Sequence, residues 1–81
     1  MYYVYMLKCN GVKTITYVGY TKNIKKRIEL HNSGKGANFT RGREWELIYK
    51  EKFKSNKEAI SREYYIKSNK TLRTKIKIKY L

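Results

Sequence analysis

Glu63 lies four residues after Ala59 and three before Ile66, on the apolar seam of a helical stretch. A carboxylate on such a seam needs a cation, because an unpaired buried charge is costly. A metal ion would answer that need. So would a surface lysine, and with twenty Lys and Arg in the chain both readings stand. Arg27 follows Lys25 and Lys26 in a basic run of the kind that is usually a solvated face, yet it borders the stripe of Ile24, Ile28 and His31. Arg27 and His31 are i and i+4, hence neighbours on one helix face. A guanidinium at the edge of a core can grip a phosphate through two parallel hydrogen bonds. His31 could relay a proton near neutral pH, although a lone histidine more often packs or caps. Nine tyrosines are many for 81 residues. Most must be packing residues, but hydroxyls at strand ends beside a cationic helix, such as those of Tyr5 and Tyr17, could orient a water or accept its proton.

These residues need elements to position them. Tyr2 to Leu7 is aromatic and β-branched and reads as a strand, Asn10-Gly11 as a turn, and Thr14 to Tyr20 as a second strand. Asn23 is placed to cap a helix running to about Asn32. Ser33-Gly34-Lys35-Gly36 ends that helix and opens a basic loop through Arg43. Trp45 to Phe53 is a third strand, with Trp45, Leu47, Tyr49 and Phe53 expected inward and an irregularity near Lys50 and Glu51. Ser55 and Glu58 form a capping box for a helix through about Ser68, with Ala59, Ile60, Tyr64 and Ile66 as its apolar side. The tail from Thr74 to Tyr80 alternates with period two, whereas the Leu72–Ile76 spacing after Thr71 permits a helix; the reading leans to a short basic helix. The expected fold class is α+β: a small three-stranded antiparallel sheet flanked by two or three helices, in the order β-β-α-β-α-α, forming one domain over residues 1–81.

The overall charge is +14, from fifteen Lys and five Arg against six Glu and no Asp. Self-repulsion on that scale opposes folding, and a polyanion would relieve it. Nucleic acid is the commonest such partner, since each bound phosphate releases counterions. A lysine-rich codon bias or a solubility device explains the charge equally simply. Cys9 is the lone cysteine, so no internal disulfide can form; it reads as a buried structural thiol in a reducing, cytoplasmic setting. No stretch approaches the roughly 20 apolar residues of a membrane helix, and no secretory leader is recognisable. Phosphate-cradling glycine loops, His/Cys metal spacings and nucleophile elbows are missing, which argues against P-loop hydrolysis and zinc chemistry. Gly19, at a strand-to-helix transition, suits a close backbone approach or an unusual φ.

Taken in order, these residues resemble the GIY-YIG nuclease domain. Tyr3-Val4-Tyr5 is similar to the first half of its signature, with Tyr3 in place of the usual glycine, and Tyr17-Val18-Gly19 to the second. The stretch Tyr20 to Arg27 resembles the one leading to the family's essential arginine; His31 falls where many members carry histidine, and Glu63 where the family places its metal-binding glutamate. Asn32 to Arg43 further resembles a small stand-alone bacterial branch, akin to the N-terminal nuclease domain of the bacterial excinuclease. Asn69 is the one candidate after Glu63 for a functional asparagine that several members carry, but it is not counted as catalytic, and no DNA-recognition domain is appended. The resemblance implies an endonuclease hydrolysing nucleic-acid phosphodiester bonds, DNA before RNA, with single-stranded and branched forms among its substrates. It implies Glu63 as the ligand of Mg²⁺ or Mn²⁺ and Arg27 as the stabiliser of phosphoryl charge. Tyr5 or Tyr17 would activate the water, with His31 a candidate to share that task. Gly19, Lys26, Lys35, Arg41 and Arg43 would contact the substrate backbone without reading bases. The alternative is a basic module that binds nucleic acid with little or no turnover. The implied partner is nucleic acid in both cases, with no membrane.

Overall fold

The computed structural model describes residues 1–9, 15–34 and 43–79. Its elements are β1 (Tyr2–Cys9), β2 (Ile15–Thr21), α1 (Ile24–Asn32), β3 (Glu46–Phe53), α2 (Asn56–Lys67) and α3 (Lys70–Lys79). The three strands form one antiparallel sheet in the order β2-β1-β3. This is the α+β arrangement read from the sequence, with three helices, and the basic tail resolves as helix α3. The expected Asn10-Gly11 turn lies outside the described residues, as do Lys35 and Arg41.

β1 is the central strand, and both faces of the sheet are covered. Val4, Tyr5, Met6 and Leu7 are therefore all buried, at 2% exposure or less. Val4 and Met6 join Val18, Ile48, Ala59, Ile66 and Ile76 in a cluster beneath α2 and α3. Tyr5, Leu7, Cys9 and Trp45 join Tyr17, Ile24 and Ile28 in a second cluster beneath α1. A strand buried on both sides reads as a continuous apolar run rather than an alternation.

That double burial corrects two expectations. In β3 the irregularity falls between the partners of Met6 and Leu7, so that Met6 pairs with Tyr49, Leu7 with Leu47, and Ile48 is the extra residue. The bulge sits earlier than Lys50, and it turns Trp45 and Leu47 to the α1 face while Tyr49 and Phe53 face α2 and α3. Ile48, not on the expected inward list, is 6% exposed. In α2, Ala59 and Ile66 are buried as expected, but Ile60 and Tyr64 are 42% and 73% exposed. Of the α2 side chains, only Ala59 and Ile66 are fully buried.

Local chemistry fixes the helix ends. Asn23 caps α1 by accepting the Lys26 N–H at 3.1 Å, and Gly34, at φ 80°, turns the chain away after Ser33. Ser55 caps α2 through the Glu58 N–H at 3.2 Å. Asn69, rather than Thr71, caps α3: its side chain accepts the Leu72 N–H at 3.0 Å. Arg73 of α3 reaches back to the Ile66 carbonyl at 3.1 Å and to that of Lys67, satisfying the C-terminal end of α2. Among the described residues no helix is long and apolar enough to cross a membrane.

Candidate active site

β2 is an edge strand. Along it, where α1 on one sheet face and α2 on the other approach each other, opens a groove of about 540 Å³. Its lining includes Tyr5 from β1, Tyr17 and Gly19 from β2, Arg27 from α1 and Glu63 from α2. Five residues spread over most of the chain thus meet in one place. Glu63 is the single acid among the lining residues.

Gly19 explains how Tyr5 gets there. Tyr5 and Gly19 are directly paired across β1 and β2, and the Tyr5 ring lies over the glycine. A Cβ on Gly19 would stand 2.6 Å from the Tyr5 hydroxyl and 2.8 Å from its ring carbon Cζ. Gly19 has no positive φ, so its requirement is space for Tyr5 and not backbone freedom.

Behind Tyr5 sits His31, 1% exposed. Its Nε2 is 2.9 Å from the Tyr5 hydroxyl, and its ring centroid is 5.0 Å from that of Tyr17. Burial and the nearby Arg27 charge hold the His31 pKa below the ordinary histidine value. The ring is therefore neutral at pH 7, with one nitrogen able to accept a proton. Burial, reinforced by Tyr17 and Glu63 and opposed by Arg27, pushes the Tyr5 pKa well above that of a free phenol. Tyr5 is thus a neutral hydroxyl hydrogen-bonded to a neutral imidazole. The next residue fastens this helix end: Asn32 accepts the Trp45 N–H at 2.6 Å and donates to the Trp45 carbonyl at 3.3 Å.

Glu63 is partly covered, with 18% of its side chain exposed, and Lys67 stands 3.6 Å away one helical turn on. The Lys67 ammonium also lies 5.8 Å from the Tyr17 ring centre. The surface-lysine reading of Glu63 therefore has a geometric basis, alongside its place in the groove. No group of three His, Cys, Asp or Glu side chains gathers among the described residues. One carboxylate suits a hard cation that keeps several waters and takes further oxygens from a bound phosphate. It does not suit a closed tetrahedral zinc site.

Of the residues expected to contact substrate, Lys26 and Arg43 are exposed and outside the groove lining. Tyr2, Tyr20, Thr21, Lys22, Asn23 and Asn56 line it instead. Lys22 sits over the Tyr2 ring at 5.3 Å. Only the folded register brings these together. Asn69 is accounted for as the cap of α3.

Comparison with known proteins agrees with the fold. The model of the GIY-YIG catalytic domain matches residues 1–77. A UPF0213 protein of Clostridium perfringens is 53% identical over 68 residues, spanning 83% of this chain and 71% of its own length. Another, of Oceanobacillus iheyensis, is 45% identical over 67 residues, spanning 82% and 76%. The NMR solution structure of a UPF0213 protein from Bacillus halodurans shares 37% identity at a TM-score of 0.54, covering 96% of this chain and 82% of that one.

Proposed function

The chain belongs to the family defined by the GIY-YIG catalytic domain, and on that premise we propose that it is a metal-dependent endonuclease hydrolysing nucleic-acid phosphodiester bonds, DNA foremost. The observation that carries this reading is the meeting of Tyr5, Tyr17, Arg27 and Glu63 in one groove.

In this reading the scissile phosphate lies between Arg27 and Glu63. The Arg27 guanidinium neutralises charge that builds on the phosphoryl oxygens. A divalent ion, when bound by Glu63, supplies Lewis-acid polarisation of the phosphate. Water attacks phosphorus, the P–O bond to the leaving oxygen breaks, and the leaving oxygen takes up a proton from solvent water. The attacking water gives its proton to the Tyr5 oxygen as the Tyr5 hydroxyl gives its own to His31 Nε2. That concerted transfer avoids a free phenolate, which the raised Tyr5 pKa makes unfavourable. Tyr17, in ring contact with both Tyr5 and His31, orients the water from the other side.

Labelled single-stranded, duplex and forked DNA incubated with Mg²⁺ or Mn²⁺ tests the proposal. Wild type is expected to cut at least one of them, and Glu63→Gln to bind it and leave it intact. Equal cutting by both proteins, or none by wild type on any substrate, would falsify the enzymatic reading. The ion pair between Lys67 and Glu63 favours a second reading, a binding module whose glutamate is satisfied internally. That reading expects salt-sensitive, metal-independent binding and no cleavage.

A further inference from the structure

A second groove, of about 490 Å³, opens beside the first on the α1 face of the sheet. The two share Lys22 and Asn23, which form the ridge between them. Beyond that ridge the lining includes Tyr3 of β1, Lys25 at the start of α1 and Lys50 of β3, and no acid. Lys25 and Lys50 thus line it from a helix start and a neighbouring strand, while Lys22 on the ridge carries its ammonium over the Tyr2 ring. α1 also begins here, and its positive end adds to their field.

The register ties this groove to the site. Tyr5 pairs with Gly19 on one side and with Lys50 on the other. Across the sheet the row therefore reads Gly19, Tyr5, Lys50, with Lys50 about one strand spacing, ~4.8 Å, from the Tyr5 backbone. The adjacent row on the same face reads Thr21, Tyr3, Lys52. Tyr3 brings a phenolic hydroxyl to the second groove.

We propose that the groove between Tyr3, Lys22, Lys25 and Lys50 is a second phosphate-binding subsite, holding the substrate strand beside the phosphate that is cut. Its ligand is the phosphodiester backbone of a nucleic-acid strand, gripped by charge and one hydroxyl with no base contact. The strand crosses the Lys22–Asn23 ridge from one groove to the other. This rests on the nuclease reading for its substrate, but its test does not require cutting.

The test is the salt dependence of binding to a fluorescein-labelled single-stranded oligonucleotide, in EDTA so that nothing is cut. Lys25→Gln/Lys50→Gln is compared with wild type and with Lys57→Gln/Lys75→Gln, which removes the same charge from α2 and α3. All four lysines are exposed, so the fold is expected to survive; circular dichroism checks this. Removing two phosphate contacts should flatten the log K against log salt slope by about 1.4, and the α2/α3 pair should leave it within about 0.5 of wild type. With Mg²⁺ present, the groove pair should raise KM and leave kcat nearly unchanged, as for uniform binding. An unchanged slope, or one flattened no more than by the α2/α3 pair, overturns the subsite. A protein that binds with the expected slopes but never cuts sinks the nuclease reading and leaves the subsite standing.

Discussion

His31 is the residue whose protonation most affects this site. Its pKa is lowered in the folded protein by burial and by Arg27, so the unfolded chain binds a proton more readily than the folded one. Stability is then complete above the unfolded value of about 6.5 and declines as pH falls below it toward the lowered folded value. Urea midpoints taken between pH 7.5 and 5 should show that decline in wild type, and His31→Asn should reduce it. Cleavage should fall over the same range, since a protonated His31 cannot accept the Tyr5 proton. Gly19 is the other sensitive residue. Gly19→Ala places a methyl 2.6 Å from the Tyr5 hydroxyl, so the Tyr5–His31 contact is expected to be disturbed. The overpacking should cost about 1–3 kcal/mol in thermal or urea unfolding. Activity should drop at least tenfold in variant protein that is still folded at the assay temperature.

At the scale of elements, the site depends on how α1 and α2 are fastened. The side chain of Asn32 is the tie between the end of α1 and the start of β3. Asn32→Ala should cost about 1–3 kcal/mol, because the Trp45 backbone loses two partners. Cleavage should fall as well, although Asn32 does not line the groove. Those helices were legible in the sequence because Asn23 and the Ser55–Glu58 pair are local signals, read without knowing the fold. Glu63 and Arg27 stood out for the same reason, from helical spacing alone. An irregularity in β3 was legible, near Lys50 and Glu51, but its place at Ile48 was not. Leu47, Ile48 and Tyr49 are all apolar, and in a sheet covered on both faces period-two alternation does not say which face each takes. The exposed positions of Ile60 and Tyr64 were missed because apolar type alone does not say which face of α2 meets the sheet. Lys25 stood in a legible basic run, but nothing in the sequence joins it to Lys50; the register assembles them.

At the scale of the whole molecule, +14 on 81 residues sets two opposite trends with salt. Added salt screens self-repulsion, so the melting temperature should rise from low to physiological ionic strength. Affinity for a nucleic-acid strand should fall over the same range. Differential scanning fluorimetry and anisotropy on one salt series would show both. A melting temperature that does not rise would mean that the cations are already balanced within the fold. The ion pairs Lys8–Glu46, Arg62–Glu51 and Lys67–Glu63 give some such balance. With only six carboxylates in the chain, most of the cationic charge has no carboxylate to pair with.

The Tyr5 ring seated over Gly19 makes positions 5 and 19 a single unit of information. Neither tolerates change while the other is kept, because one supplies the ring and the other the room for it. In a randomised library selected for cutting, the two should be recovered together or lost together. A double-mutant cycle with Tyr5→Leu and Gly19→Ala should show it as coupling in unfolding free energy, with alanine at 19 costing less once the tyrosine is gone.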